Sequence, residues 1–217
     1  MRVLRRQAAR LRAGLTLVEV MIAGTLVLVL ASSAILAANG GYGAFRTTRG
    51  ASDVEARVRR ALDRLAGELL SAGQEELQPD PAGQFGTDDL LYRQVVGLNG
   101  TVKTWGPQSR LAFEYEPDEN DNGLDDNGDG RVDEGQLVLT RDMGGTERRT
   151  VLCNGVAELL EGEIANGADD NGNGVIDECG FNVHREGEVL FLRLTLEEPD
   201  ATGTIVRTLE TSVRLRN

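Results

Sequence analysis

Residues 1–38 read MRVLRRQAARLRAG followed by LTLVEVMIAGTLVLVLASSAILAA, and this junction decides how the rest of the chain is organised. The first fourteen residues hold Arg2, Arg5, Arg6, Arg10 and Arg12 and no acid. The next stretch, residues 15–38, carries a single charge, Glu19. At about 1.5 Å of rise per residue its helix would span roughly 36 Å, enough for a hydrocarbon core of about 30 Å. The arginines upstream should hold the N-terminus in the cytoplasm and send the remainder across. A secretory signal has the same polarity, and Ala31 to Ala38 offer small residues for its cleavage. Glu19 argues against a disposable signal, because a carboxylate in the centre of a span costs about 2.5–3.5 kcal/mol and is functional by default. Snorkelling to the interface near the helix end is its bland alternative.

Beyond the span, Asn39-Gly40-Gly41 with Gly43 predicts a kink or helix end, so residues 39–78 are read as a hinge and an amphipathic helix. In that helix Val54, Val58, Ala61, Leu62, Leu65, Leu69 and Ala72 recur at three- and four-residue spacing, with Ser52 or Asp53 as its cap. Arg57, Arg60 and Arg64 form the opposite face, expected to be solvated and paired with Glu55 and Glu68. Pro79 and Pro81 end the helix and open a globular region, 79–217. There the pattern turns to short β runs: Leu90–Val96, Thr101–Trp105, Leu111–Tyr115, Gln136–Thr140, Thr150–Cys153, Val156–Leu160, Glu188–Glu197 and Ile205–Leu215. The expectation is an α+β fold, a long N-terminal helix followed by a mostly antiparallel β-sheet. Trp105, Tyr92, Phe113 and Tyr115 are read as core residues.

Composition narrows function. The chain has 217 residues with 35 acidic and 23 basic side chains, a net charge of −12. Without the arginine-rich leader, 18 basic residues face the same 35 acids. A chain this acidic is a poor nucleic-acid binder, because affinity for phosphate comes from Lys and Arg. One histidine, His184, and two cysteines leave little for a His-based triad or a Cys/His zinc site. The sequence has no G-x-S-x-G, no Walker loop and no G-x-G-x-x-G after a strand. The protein is therefore expected to be non-enzymatic.

An internal repeat carries most of the acids. Asn122 to Glu134, NGLDDNGDGRVDE, returns 44 residues later as Asn166 to Glu178, NGADDNGNGVIDE, with nine of thirteen positions identical. Calcium takes several hard oxygen donors around one point, and alternate positions of a tight loop supply them. In the first loop Asp125, Asn127 and Asp129 are the candidate ligands at positions 1, 3 and 5. Gly130 makes the turn, the Arg131 carbonyl is the backbone donor, and Asp133 or Glu134 closes the shell. In the second, Asp169, Asn171, Asn173, Gly174, the Val175 carbonyl, and Asp177 or Glu178 take the same parts. Val132 and Ile176 should tie the loops to a core. The acidic segments 118–134 and 166–178 resemble shortened EF-hand-like calcium motifs of the dockerin and extracellular repeat kind, with the acid at position 10 instead of 12. The competing reading is a pair of hydrophilic Asx-Gly turns. One or two calcium ions are expected, the second loop being weaker for having Asn173 in place of an aspartate.

Cys153 and Cys179 bracket the second loop. In an oxidising compartment they most simply form one disulfide, worth about 3 kcal/mol in the chain-entropy model. Two buried free thiols are the alternative.

Gly14 followed by Leu15-Thr16-Leu17-Val18-Glu19 resembles the processing site of type IV prepilins and type II secretion pseudopilins. The segments LAGELLSAG and TSVRLRN are similar to J-type minor pseudopilins and PilW-type minor pilins. The resemblance implies residues 1–14 as a prepilin leader, with cleavage after Gly14 by a prepilin peptidase and methylation of the new N-terminal residue, Leu15. Members usually have Phe where this chain has Leu15. Glu19 would then be the fifth mature residue, pairing in the filament with the Leu15 amine of a neighbouring subunit. The implied partners are the other minor and major pilins or pseudopilins and the inner-membrane assembly platform. The implied location is a single pass through a bacterial inner membrane by residues 15–38, with the globular domain in the periplasm or, after assembly, at a filament tip. The alternative is a membrane-anchored or secreted calcium-dependent binding module or adhesin.

Overall fold

The computed structural model describes residues 16–200 and 203–215. One helix, α1, runs from Leu17 to Leu69, and seven antiparallel strands follow. The strands are β1 (Asp89–Asn99), β2 (Val102–Tyr115), β3 (Gly135–Arg141), β4 (Arg148–Val156), β5 (Phe181–Glu186), β6 (Val189–Asp200) and β7 (Gly203–Arg214). The expected α+β architecture, helix first and antiparallel sheet after, is what the chain adopts. It divides into two compact units, residues 1–46 and 47–217.

In the first unit the described side chains are exposed from Thr16 to Arg46. This part of α1 is long and apolar enough to cross a membrane. Its hydroxyls do not burden it: Thr25, Ser32 and Ser33 each donate to the carbonyl three residues back, at 2.8–2.9 Å. The break expected at Asn39-Gly40-Gly41 does not occur, since α1 passes through all three and through Gly43 without interruption. Glycine weakens a helix by about 1 kcal/mol relative to alanine but keeps its N–H, so unlike proline it does not break the ladder. With no helix start near residue 51, Ser52 and Asp53 cap nothing.

In the second unit Val54, Val58, Ala61, Leu62, Leu65 and Leu69 are buried, the stripe expected from their spacing. Ala72 is buried just past the helix end. The ion pairs differ from expectation. Arg57 reaches Glu198 at 2.7 Å, Arg59 pairs with Glu55, and Glu68 is taken by Arg141. The helix thus exchanges charges with the sheet as well as along its own face.

The sheet runs β1-β2-β3-β4-β6-β5, with β7 on β6. β6 is its centre. Leu190, Leu192, Leu194 and Leu196 point from it into the core and are fully buried, each contributing about 2 kcal/mol. β7 lines one edge of β6 over its full length, while β5 pairs along the other from Phe181↔Leu194 to Glu186↔Val189. β4 touches that second edge at a single pair, Val156↔Leu196.

Several strand expectations change. Thr101–Trp105 and Leu111–Tyr115 belong to one strand, β2, and Val156–Leu160 is not a strand beyond the end of β4 and a single bridge from Leu159 to Cys179. β5 was not anticipated, because only Phe181 and Val183 alternate before the polar run His184-Arg185-Glu186. Tyr92 is core, whereas Trp105, Phe113 and Tyr115 are half-buried.

Candidate metal centres in two duplicated loops

The two acidic loops sit at strand connections, the first joining β2 to β3 and the second β4 to β5. Each closes on one backbone bond at its base. The Glu116 N–H donates to the Glu134 carbonyl at 3.2 Å, and the Leu160 N–H to the Glu178 carbonyl at 3.0 Å. Within each, a tight turn follows: Glu119 N–H to Glu116 carbonyl and Glu163 N–H to Leu160 carbonyl, both 3.0 Å. The 44-residue repeat therefore starts six positions earlier than the sequence motif, at Glu116 and Leu160. Positive φ recurs in register at Asp118/Gly162, Gly123/Gly167, Gly128/Gly172, Gly130/Gly174 and Asp133/Asp177. Six of these positions are glycines of the motif, which adopt that conformation without the steric cost a side chain brings.

The polar side chains hold the turns in matching ways. Asp125 accepts the N–H groups of Gly128 (2.6 Å), Asp129 (3.1 Å) and Gly130 (2.9 Å). Asp169 accepts those of Gly172, Asn173 and Gly174 at the same three distances. Asn127 and Asn171 accept the N–H two residues on. Asp133 takes the N–H groups of Asn122 and Gly123, and Asp177 those of Asn166 and Gly167. The expected choice between Asp133 and Glu134, and between Asp177 and Glu178, thus meets a clear division of labour. The aspartates staple the end of the loop to its start, and the glutamates turn inward.

Glu134 and Glu178 are completely buried. Glu134 Oε1 accepts from the Asn127 amide at 2.8 Å, and Glu178 Oε1 from the Asn173 amide at 2.8 Å. The other oxygen of each, Oε2, is buried without a hydrogen-bond partner. Glu119 and Glu163, also more than nine-tenths buried, repeat this arrangement. Glu119 Oε1 accepts from the N–H groups of Asp126 and Asn127, and Glu163 Oε1 from that of Asn171, while both Oε2 atoms are orphaned. Burial pushes the Glu134 carboxyl above the ordinary carboxylate range, with Asp129 and Glu119 adding to the effect. Burial does the same to Glu178, with Glu163 adding. Orphaned carboxylate oxygens are costly in a protein interior and mark a place for a proton or a cation. The donors are carboxylate and amide oxygens, the set that suits a hard divalent ion.

The loops differ in the groups around this shared frame. In the first, carboxylate oxygens of Glu116, Asp129 and Glu134 lie within 4.8 Å of one another. In the second, Leu160 and Asn173 stand where Glu116 and Asp129 do. The basic partners also change. Arg131 pairs with Asp129 and lies 3.8 Å from Glu134 Oε1, whereas Glu178 Oε1 is met by Arg193 of β6 at 2.9 Å. Val132 is exposed and Ile176 only half-buried, against expectation; the apolar anchor is Val175, buried in the second loop at the position of Arg131.

The expected disulfide is not formed, and Cys153 and Cys179 are free thiols. Their surroundings differ. Cys153 packs on the core and shares a groove with Arg57, Arg60, Ala61 and Arg64 of α1. Cys179 hydrogen-bonds Asp88 in the field of Glu158 and Asp121. Burial pushes both thiols up to about 12, so neither is a thiolate at neutral pH. His184 lies on β5, with Glu186 3.7 Å away.

Gly14 and Leu15 lie outside the described residues. Glu19 is described, and it closes a capping box. Its Oε2 accepts the Thr16 N–H (2.8 Å) and hydroxyl (2.9 Å), while the Thr16 hydroxyl accepts the Glu19 N–H (3.2 Å). Sequence reasoning missed this, although T-x-x-E at the head of an apolar run is its signature. It also missed Glu119 and Glu163, which the constant offset of 44 residues could have located. In comparison with known proteins, the chain matches no protein-family model, no curated protein and no solved structure.

Proposed function

We propose that this chain is a minor subunit of a pilin or pseudopilin filament, anchored in a bacterial inner membrane by residues 15–38, with a calcium-ordered domain in the periplasm. A prepilin peptidase cuts after Gly14 and methylates Leu15. The assembly platform then lifts the subunit out of the membrane among other minor and major pilins. The observation that carries the reading is Glu19, the one charge of residues 15–38 in a helix with exposed apolar sides that continues into a domain-packed half. The helix begins at Leu17 with Thr16, the second residue after the proposed cut, as its cap. In a filament, the Glu19 carboxylate offsets the buried Leu15 amine of a neighbour. The J-type pseudopilin of a secretion system is the first choice, and a PilW-type minor pilin the next.

Calcium enters through the loops. Asp125, Asn127, Asp129, the Arg131 carbonyl and Glu134 would hold an ion in the first, and Asp169, Asn171, Asn173, the Val175 carbonyl and Glu178 in the second. The ion supplies charge that the acidic segments lack and does no chemistry.

The capping box favours a second reading, because it gives Glu19 a role within its own helix. On that reading the helix only anchors a calcium-dependent binding module. Mass spectrometry of the mature N-terminus separates the two. The filament reading expects methylated Leu15, and Glu19→Ala should leave the protein in the membrane but out of filaments. A mature chain beginning near Ala38, or normal incorporation of Glu19→Ala, would overturn it.

A further inference from the structure

We infer that each loop closes on its divalent cation through a pair of buried glutamates, Glu119 with Glu134 and Glu163 with Glu178, so that the cation site includes a residue outside the recognisable motif. The inference rests on the calcium reading above and adds ligands to it.

Four carboxylates carry the argument. All are at least nine-tenths buried, and each has one oxygen engaged and the other, Oε2, without a partner. The engaged oxygens are fixed. The Asp126 and Asn127 amides hold Glu119, the Asn171 amide holds Glu163, and side-chain amides hold Glu134 and Glu178. Nearby arginines leave the free oxygens without a hydrogen bond. Arg193 binds Glu178 through Oε1, and Arg131 lies closer to Glu134 Oε1 while it pairs with Asp129. Shared partners link each pair: Asn127 donates its N–H to Glu119 and its side-chain amide to Glu134, while Asn171 donates its N–H to Glu163 and accepts that of Asn173, whose side-chain amide holds Glu178. Two like charges with unpartnered oxygens in a dry site are unfavourable alone, and a hard cation at roughly 2.3–2.6 Å from each oxygen resolves the conflict.

Duplication makes coincidence a poor account. Glu119 and Glu163 are separated by the repeat offset, precede their loops by the same turn, and have the same atom orphaned. Asp133 and Asp177 are engaged elsewhere, accepting the N–H groups that close each loop.

The test is a calcium titration of the full chain in detergent, followed calorimetrically, for the wild type, Glu119→Gln, Glu163→Gln and Asp133→Asn. Glutamine keeps the oxygen that accepts the backbone N–H but removes the charge. Glu119→Gln should weaken one binding event about tenfold or more and leave the other alone. Glu163→Gln should do the converse, and Asp133→Asn should change affinity by no more than about threefold. In chelator both glutamine variants should melt at or above the wild type, because a buried charge has been removed. Wild-type affinity in both glutamine variants would overturn the ligand assignment and leave the calcium reading standing. A lowered melting point in chelator with unchanged affinity would reassign Glu119 and Glu163 to a purely structural role. Absence of calcium binding by the wild type would end the calcium reading itself.

Discussion

The first loop, Asn122–Glu134, and the second, Asn166–Glu178, share their backbone turns and their side-chain staples, down to three matching N–H bonds to Asp125 and Asp169. They part company in charge, even at position 5, where Asp129 and Asn173 each accept the N–H two residues on. Counted from Glu116 the first unit holds nine acids, and from Leu160 the second holds six. The first gathers Glu116, Asp129 and Glu134 and sets Arg131 among them, whereas the second buries Val175 in the core and takes its counter-charge from Arg193 of β6. The lesson is that one motif fixes the shape of a loop while its neighbours decide what holds it. The second loop is tied down by packing and a strand-borne arginine. The first depends more on charge.

Position 5 is where the two loops can be exchanged. Asp129→Asn in the first loop should weaken its calcium affinity about tenfold, and Asn173→Asp should strengthen the second by a similar factor, as charge count tunes such sites. In the double exchange the order of the two sites should reverse. Calorimetry reads both events, and an unchanged pair of affinities would show that this position does not ligate.

A smaller effect sharpens the comparison through pH. Glu134 and Glu178 have carboxyls raised by burial, so without calcium the folded state holds protons that the unfolded state has released. Their contribution to stability is present below the unfolded carboxylate value of about 4.3 and is lost as pH rises through the folded one. A bound calcium ion would displace those protons. The increase in melting temperature that calcium produces over chelator should therefore grow as pH rises from about 4.3 toward neutrality. The growth should shrink in Glu134→Gln and in Glu178→Gln. A calcium effect constant across that range would contradict the assignment.

Much of this was legible in the chain, and the exceptions have physical causes. The stripe from Val54 to Leu69 and the alternating leucines of β6 announce their elements because burial imposes period 3.6 on a helix and period 2 on a strand. Asn39-Gly40-Gly41 misleads because glycine lowers helix stability without forbidding the helix. Disulfide pairing could not be deduced for Cys153 and Cys179 because it depends on where β4 and the Leu159–Cys179 bridge place them. For the candidate site, the motif located Asp125, Asn127, Asp129 and Glu134 and their counterparts. Glu119 and Glu163 were hidden by sequence divergence around them, Asn120-Asp121 against Ile164-Ala165, although the backbone turn there is the same.

On the proposal above, the two acidic loops of one chain are unequal cation sites. Native mass spectrometry of the full chain in detergent, at millimolar calcium and then under increasing chelator, counts the ions directly. Two calcium ions per chain are expected, of which the last to leave is absent from Asp125→Ala and retained in Asp169→Ala. A chain that carries no calcium at millimolar concentration would contradict it.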